Sequence, residues 1–86
     1  MDEKCMYQIE QEVNIWLFSA RELLSAEAVN TERYLFIMGV LEGFAHLFTI
    51  LWNNGPENVR DRFADMHILV CGVVQDMRKA RRGVIK

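Results

Sequence analysis

Residues Tyr34–Trp52, YLFIMGVLEGFAHLFTILW, decide the architecture of this chain. The run is too long for a strand. Its apolar residues also go most of the way round a helix, whereas a surface helix shows a single apolar stripe. Its polar positions are not scattered. Gly39, Glu42, His46, Thr49 and Asn53 follow steps of three and four, and so share one narrow strip. Phe36, Ile37, Val40, Leu41, Phe44, Leu47, Phe48, Ile50, Leu51 and Trp52 occupy the remaining faces. A helix of this pattern needs cover on about three sides.

The rest of the chain supplies two covers. Upstream, Met6, Ile9, Val13, Trp16, Ala20 and Leu23 repeat at alternating steps of three and four, widened by Leu17 and Leu24. Downstream, Val59, Phe63, Met66, Val70, Val73, Met77, Ala80 and Val84 keep an unbroken four-three series, the spacing of a helix packed lengthwise on another. Val74 widens that stripe. Two breaks separate the helices. Across Ala28–Glu32, Asn30 or Thr31 can cap a new helix. At Asn53–Glu57, Asn54 or Gly55 can end one helix in a left-handed turn, and Pro56 can open the next at its first position. The expected fold is all-α: a single domain, a bundle of three helices over about 2–27, 31–53 and 56–82, pairing into a helical homodimer.

That pairing follows from size and grease together. A chain of 86 residues buries a modest share of its surface. Yet 51% of its residues are apolar, so the excess must be hidden in a dense core or between copies. The central helix is the natural seam, with Phe36, Val40, Phe44 and Leu47 as anchors. Gly39 and Gly43, four apart, are expected to mark a tight helix crossing. Each costs about 1 kcal/mol of helix propensity relative to alanine, which a close approach can offset. The apolar residues outside the stripes indicate a second surface. Ile15 and Phe18 fall among the polar residues of the first helix, and Ile68 on the polar back of the third. They are expected to touch a partner protein.

Charge narrows the partner class. The net charge is −2, with −5 in residues 1–42 and +3 in residues 43–86. This asymmetry suits self-association better than binding to nucleic acid. Arg78, Lys79, Arg81, Arg82 and Lys86 form a basic end to the third helix, where they align with its dipole. Arg78, Arg81 and Arg82 are also candidate partner contacts. The alternative function, a small nucleic-acid-associated regulator, would use that same end, although no aromatic residues interleave with the charges.

A third reading has residues 34–52 span a membrane, since Gly39-x-x-x-Gly43 in an apolar nineteen-mer has the form of a transmembrane pairing motif. Glu42 near the middle and the absence of flanking Lys/Arg clusters weigh against it. The N-terminus, MDEKC, is acidic and lacks a leading apolar segment, so a cytoplasmic location with free Cys5 and Cys71 is expected.

No motif carries chemistry. Glu42 and His46, one turn apart, with His67 would make a metal site only if the fold brought them together, and paired carboxylates are missing. No nucleophile has a base at a recognisable spacing, and no glycine-rich phosphate loop is present. Trp16, Phe36, Phe44, Phe48, Trp52 and Phe63 fit core and interface anchors better than a ligand pocket. The expectation is a non-enzymatic protein without cofactor or metal. It would act as a homodimeric inhibitor, adaptor or chaperone that binds another protein.

Overall fold

A computed structural model describes residues 2–26 and 30–84, with side chains up to Arg81. The chain forms α1 (Glu3–Ser25), α2 (Thr31–Asn54) and α3 (Glu57–Val84), with no strand among the described residues. The three helices run up, down and up in a rod of 44 × 21 × 16 Å. Glu3 and Glu10 near the start of α1 meet Arg62 near the start of α3, while Tyr34 at the start of α2 meets Met77 near the end of α3.

Local chemistry sets the helix ends. Asp2 caps α1, its carboxylate accepting from the Cys5 N–H at 2.8 Å, and Asn30 caps α2 by accepting from the Arg33 N–H at 3.0 Å. Each satisfies one backbone donor left free in a first helical turn. Ala28, Val29 and the expected end of α1 at residue 27 lie outside the described residues. The end of α2 differs from the left-handed turn expected there. Gly55 has φ −80° and ψ 171°, and no described residue has positive φ. Glycine is required for another reason. The Gly55 N–H donates to the Leu51 carbonyl at 2.6 Å, and a Cβ at Gly55 would collide with that same oxygen. Pro56 sits just outside α3 and not at its first helical position. Its carbonyl accepts from the Val59 N–H at 3.2 Å.

The core follows the sequence stripes. Met6, Val13, Leu17, Ala20 and Leu23 of α1 meet Ile37, Leu41 and Phe48 of α2 and Val59, Phe63, Val70 and Met77 of α3, all buried. Phe48 links the layers: its ring stacks on Phe44 at 5.9 Å and on Phe63 at 6.0 Å between centroids. Ile9, Trp16, Leu24, Phe44 and Leu51 pack at the edge of this core. α2 and α3 share the most extensive seam, and α1 and α2 the least.

Two features tie the seams together. The Tyr34 hydroxyl, buried, donates to the Met77 carbonyl at 3.0 Å, and the Arg81 guanidinium lies over the Tyr34 ring at 5.5 Å. Arg62 bonds Glu3 at 2.7 Å and Glu10 at 2.7 Å, clasping α1 to α3. Those two carboxylates, Glu3 first, raise the pKa of Arg62.

Candidate functional site

Because α1 and α3 both pack on one side of α2, cover on three sides is not achieved. Half of the α2 circumference faces outward. Only 22% of its most apolar stretch is buried, although the helix is long and apolar enough to cross a membrane. The open half carries Leu35, Phe36, Leu47 and Ile50, each 45–62% exposed, while Trp52, in line with buried Leu41 and Phe48, is exposed near the end of the helix. The expected polar strip, Gly39, Glu42, His46, Thr49 and Asn53, lies on this same half and is exposed throughout.

Phe36, Val40, Gly43, Leu47 and Ile50 follow steps of four, three, four and three. They form one ridge along the outer face, with Gly43 at its middle. Phe36, Gly39, Gly43 and Leu47 are exposed. Val40 and Phe44 are half-buried, and Phe44 packs at the edge of the core and lines the groove beside α1. The six residues expected at a dimer seam therefore form one continuous surface. Ile50 extends that ridge. Its position in the series was readable from the sequence, but the apolar residues around it hid the outward direction.

The glycines differ from expectation within the subunit. A Cβ at Gly39 or Gly43 would meet nothing within 4 Å, so no helix of the same chain comes close there. Both instead form a notch in the outer face. Large side chains flank it, with Phe36 on one side and Leu47 and Ile50 on the other.

The ridge borders a groove between α1 and α2. The groove has a volume of about 450 Å³ and is lined by Ile9, Phe44, Leu47, Phe48 and Leu51, with Cys5, Gln8 and Glu12 at its rim. Toward the other end the seam closes where Trp16 packs against Phe36, with ring centroids 5.6 Å apart and planes tilted by 55°. Trp16 also donates through Nε1 to Glu12 at 3.2 Å.

The remaining predicted contacts are dispersed. Ile15 and Phe18 stand on the outward side of α1, 58% and 62% exposed, beside a shallow depression lined by Gln11, Asn14 and Ser19. Ile68 on α3 is 67% exposed, and the neighbouring Leu69 is also exposed. No single surface unites the α1 pair with Ile68. Arg78 pairs with Glu42 of α2 at 3.0 Å, and Arg81 is engaged over Tyr34. The side chain of Arg82 lies outside the described residues.

The conceivable metal ligands are not assembled. Glu42 turns to Arg78, and His67 sits beside Cys71, whose Sγ is 3.5 Å from His67 Nε2. Among the described residues no three His, Cys, Asp or Glu side chains are grouped to hold a metal. Cys5 is exposed, and the hydrogen bond and charge of Asp2 raise its thiol pKa, which disfavours the reactive thiolate. Comparison with protein-family models, with curated proteins and with solved structures finds no match.

Proposed function

We propose that this chain is a non-enzymatic helical binding protein of the cytoplasm. It pairs with a second copy through the outer face of α2 and holds a partner protein by shape and apolar contact, as an inhibitor, adaptor or chaperone does. The observation that carries this reading is the outer face itself. Phe36, Leu47 and Ile50 stand open on one continuous ridge, and no other element among the described residues covers them. A contiguous apolar surface of this kind marks an association site, whereas single exposed apolar residues do not. Ile15 and Phe18 on α1 and Ile68 on α3 point away from that ridge, so they remain free for a partner when α2 is paired.

The basic end of α3 supports the nucleic-acid alternative less well. Arg78 and Arg81 already have partners within the chain, and each would have to leave one to bind a phosphate. A second reading, lipid covering the outer face of α2, draws on the length and apolar character of that helix. Glu42 and His46 on the same face oppose it, because a carboxylate in hydrocarbon is costly.

Sedimentation equilibrium in detergent-free buffer tests the proposal. The expected result is a concentration-dependent dimer that Phe36→Ser or Leu47→Ser converts to a folded monomer. A wild-type monomer at every concentration overturns self-association. Flotation with phosphatidylcholine–phosphatidylglycerol vesicles, paired with loss of the soluble dimer, would favour lipid.

A further inference from the structure

The homodimer proposed above leaves open which way the two α2 helices run and where they cross. Three features of the outer face bear on that choice. The first is shape. The ridge has a notch at Gly39 and Gly43, open in the subunit, and projecting side chains at Phe36 on one side and Leu47 and Ile50 on the other. Helices that pair lengthwise set each projecting side chain into a hole made by four residues of the facing helix. If two copies run antiparallel about a two-fold axis at Gly43, Leu47 of one lies opposite Gly39 of the other. The hole it enters is formed by Phe36, Gly39, Val40 and Gly43, with a floor lowered by both glycines. In the same register Phe36 lies opposite Ile50 of the other copy, at the mouth of the α1–α2 groove that Leu47 and Leu51 line. Each Leu47 thus meets a recess, and the Phe36–Ile50 contacts flank the axis on both sides. In a parallel pair, notch faces notch and projection faces projection, so one half gapes while the other collides.

The second feature is charge along the rod. The half containing residues 2–14 and 43–70 carries seven acids and three bases, a net −4. The half containing residues 15–26, 30–42 and 71–84 carries four acids and six bases, a net +2. The rod is 44 Å long, several times the Debye length of about 8 Å at physiological salt, so its ends act as separate poles. Antiparallel pairing sets each acidic end beside a basic end, whereas parallel pairing sets like beside like. The third feature is the helix dipole, which also favours antiparallel neighbours.

From these we infer that two copies of this chain pair antiparallel through α2 about a two-fold axis at Gly43, with Leu47 of each seated in the Gly39 notch of the other. The inference rests on the homodimer reading and specifies its partner face, direction and register.

The test uses the full chain with Cys5→Ser and Cys71→Ala, spin-labelled at Asn53→Cys on the exposed edge of α2. Residue 53 lies ten positions from the axis. The antiparallel register therefore separates the two labelled backbones by about 30 Å along the helices, at about 1.5 Å per residue. A parallel pair holds them about one interhelical spacing apart, roughly 8–10 Å.

The second arm is Gly39→Leu, which fills the notch. No atom of the subunit obstructs a Cβ there, so circular dichroism should show the helices intact while the dissociation constant rises at least about tenfold, as for an interface hot spot. Leu47→Ala should act in the same direction. Added salt should weaken the wild-type dimer, since opposite poles attract. A long label separation together with loss of pairing in folded Gly39→Leu supports the inference. A short separation, or a dimer that tightens with salt, overturns the antiparallel direction and leaves the homodimer standing. Unchanged pairing in Gly39→Leu overturns the choice of face. A wild-type monomer removes this inference and the homodimer together.

Discussion

The inner and outer faces of α2 are made of the same kinds of side chain and end in opposite situations. Ile37, Leu41 and Phe48 on the inner face are at most 2% exposed. Phe36, Leu47 and Ile50, one or two residues away along the chain, are about half exposed. Residue chemistry does not separate the two sets. Position around the helix does, because a bundle of three gives each helix neighbours on one side only. A chain whose central helix is apolar on both of these faces thus carries a finished core and an uncovered apolar face on a single element. The two faces should respond differently to the same truncation.

The largest contrast is expected between Phe48→Ala and Leu47→Ala. Phe48 is fully buried and stacks between Phe44 and Phe63, so its loss should remove about 3–5 kcal/mol and leave little folded protein in urea titrations. Leu47→Ala, compared at concentrations where the chain is monomeric, should stay within about 0.5 kcal/mol of wild type, as an exposed site does. Equal losses at the two positions would mean that the outer face is structural in the monomer and would break the distinction.

Next in size is Tyr34→Phe. It removes one buried hydrogen bond without changing shape and should cost about 1 kcal/mol, read as a lower urea midpoint at unchanged slope. Asp2→Ala should have a smaller effect, one that depends on pH. The hydrogen bond from the Cys5 N–H holds the Asp2 carboxyl below the usual carboxylate range. A group with a lowered folded pKa stabilises above its unfolded pKa and loses that contribution as pH falls through the folded value. The gap between wild type and Asp2→Ala should therefore be present at neutral pH and close in acid. Smallest of all, Arg78→Ala breaks a half-exposed ion pair with Glu42 and should change stability by no more than about 0.5 kcal/mol. A larger loss would mean that this pair helps hold α2 in place against α3.

Much of the inner half was legible in the sequence. The four-three series of α1 and α3 located the buried residues from Met6 to Leu23 and from Val59 to Met77, because period and burial coincide on an amphipathic helix. The cap at Asn30 obeys the local rule by which Asn30 or Thr31 was read there, and the cap at Asp2 obeys the same rule but was not read. The outer half was legible in amount and not in direction. For α2 the pattern reported an excess of apolar surface, and its polar strip did fall on the open half, but that strip is narrow and does not tell which of the apolar flanks beside it stay open. Phe36 and Ile50 look no different in sequence from Ile37 and Leu41. The extended end at Gly55 and the Arg62 clasp on Glu3 and Glu10 were invisible for another reason: each depends on tertiary geometry that spacing does not encode.

The Tyr34–Met77 hydrogen bond has a further consequence. A hydroxyl that must meet one particular carbonyl acts as a dowel between α2 and α3. Sliding either helix by part of a turn would take the buried donor away from its acceptor, so this bond favours one register between the two. That register sets the height of the outward ridge relative to the charged tips of the rod. Anything that docks on the ridge while sensing those tips is gauging a fixed length.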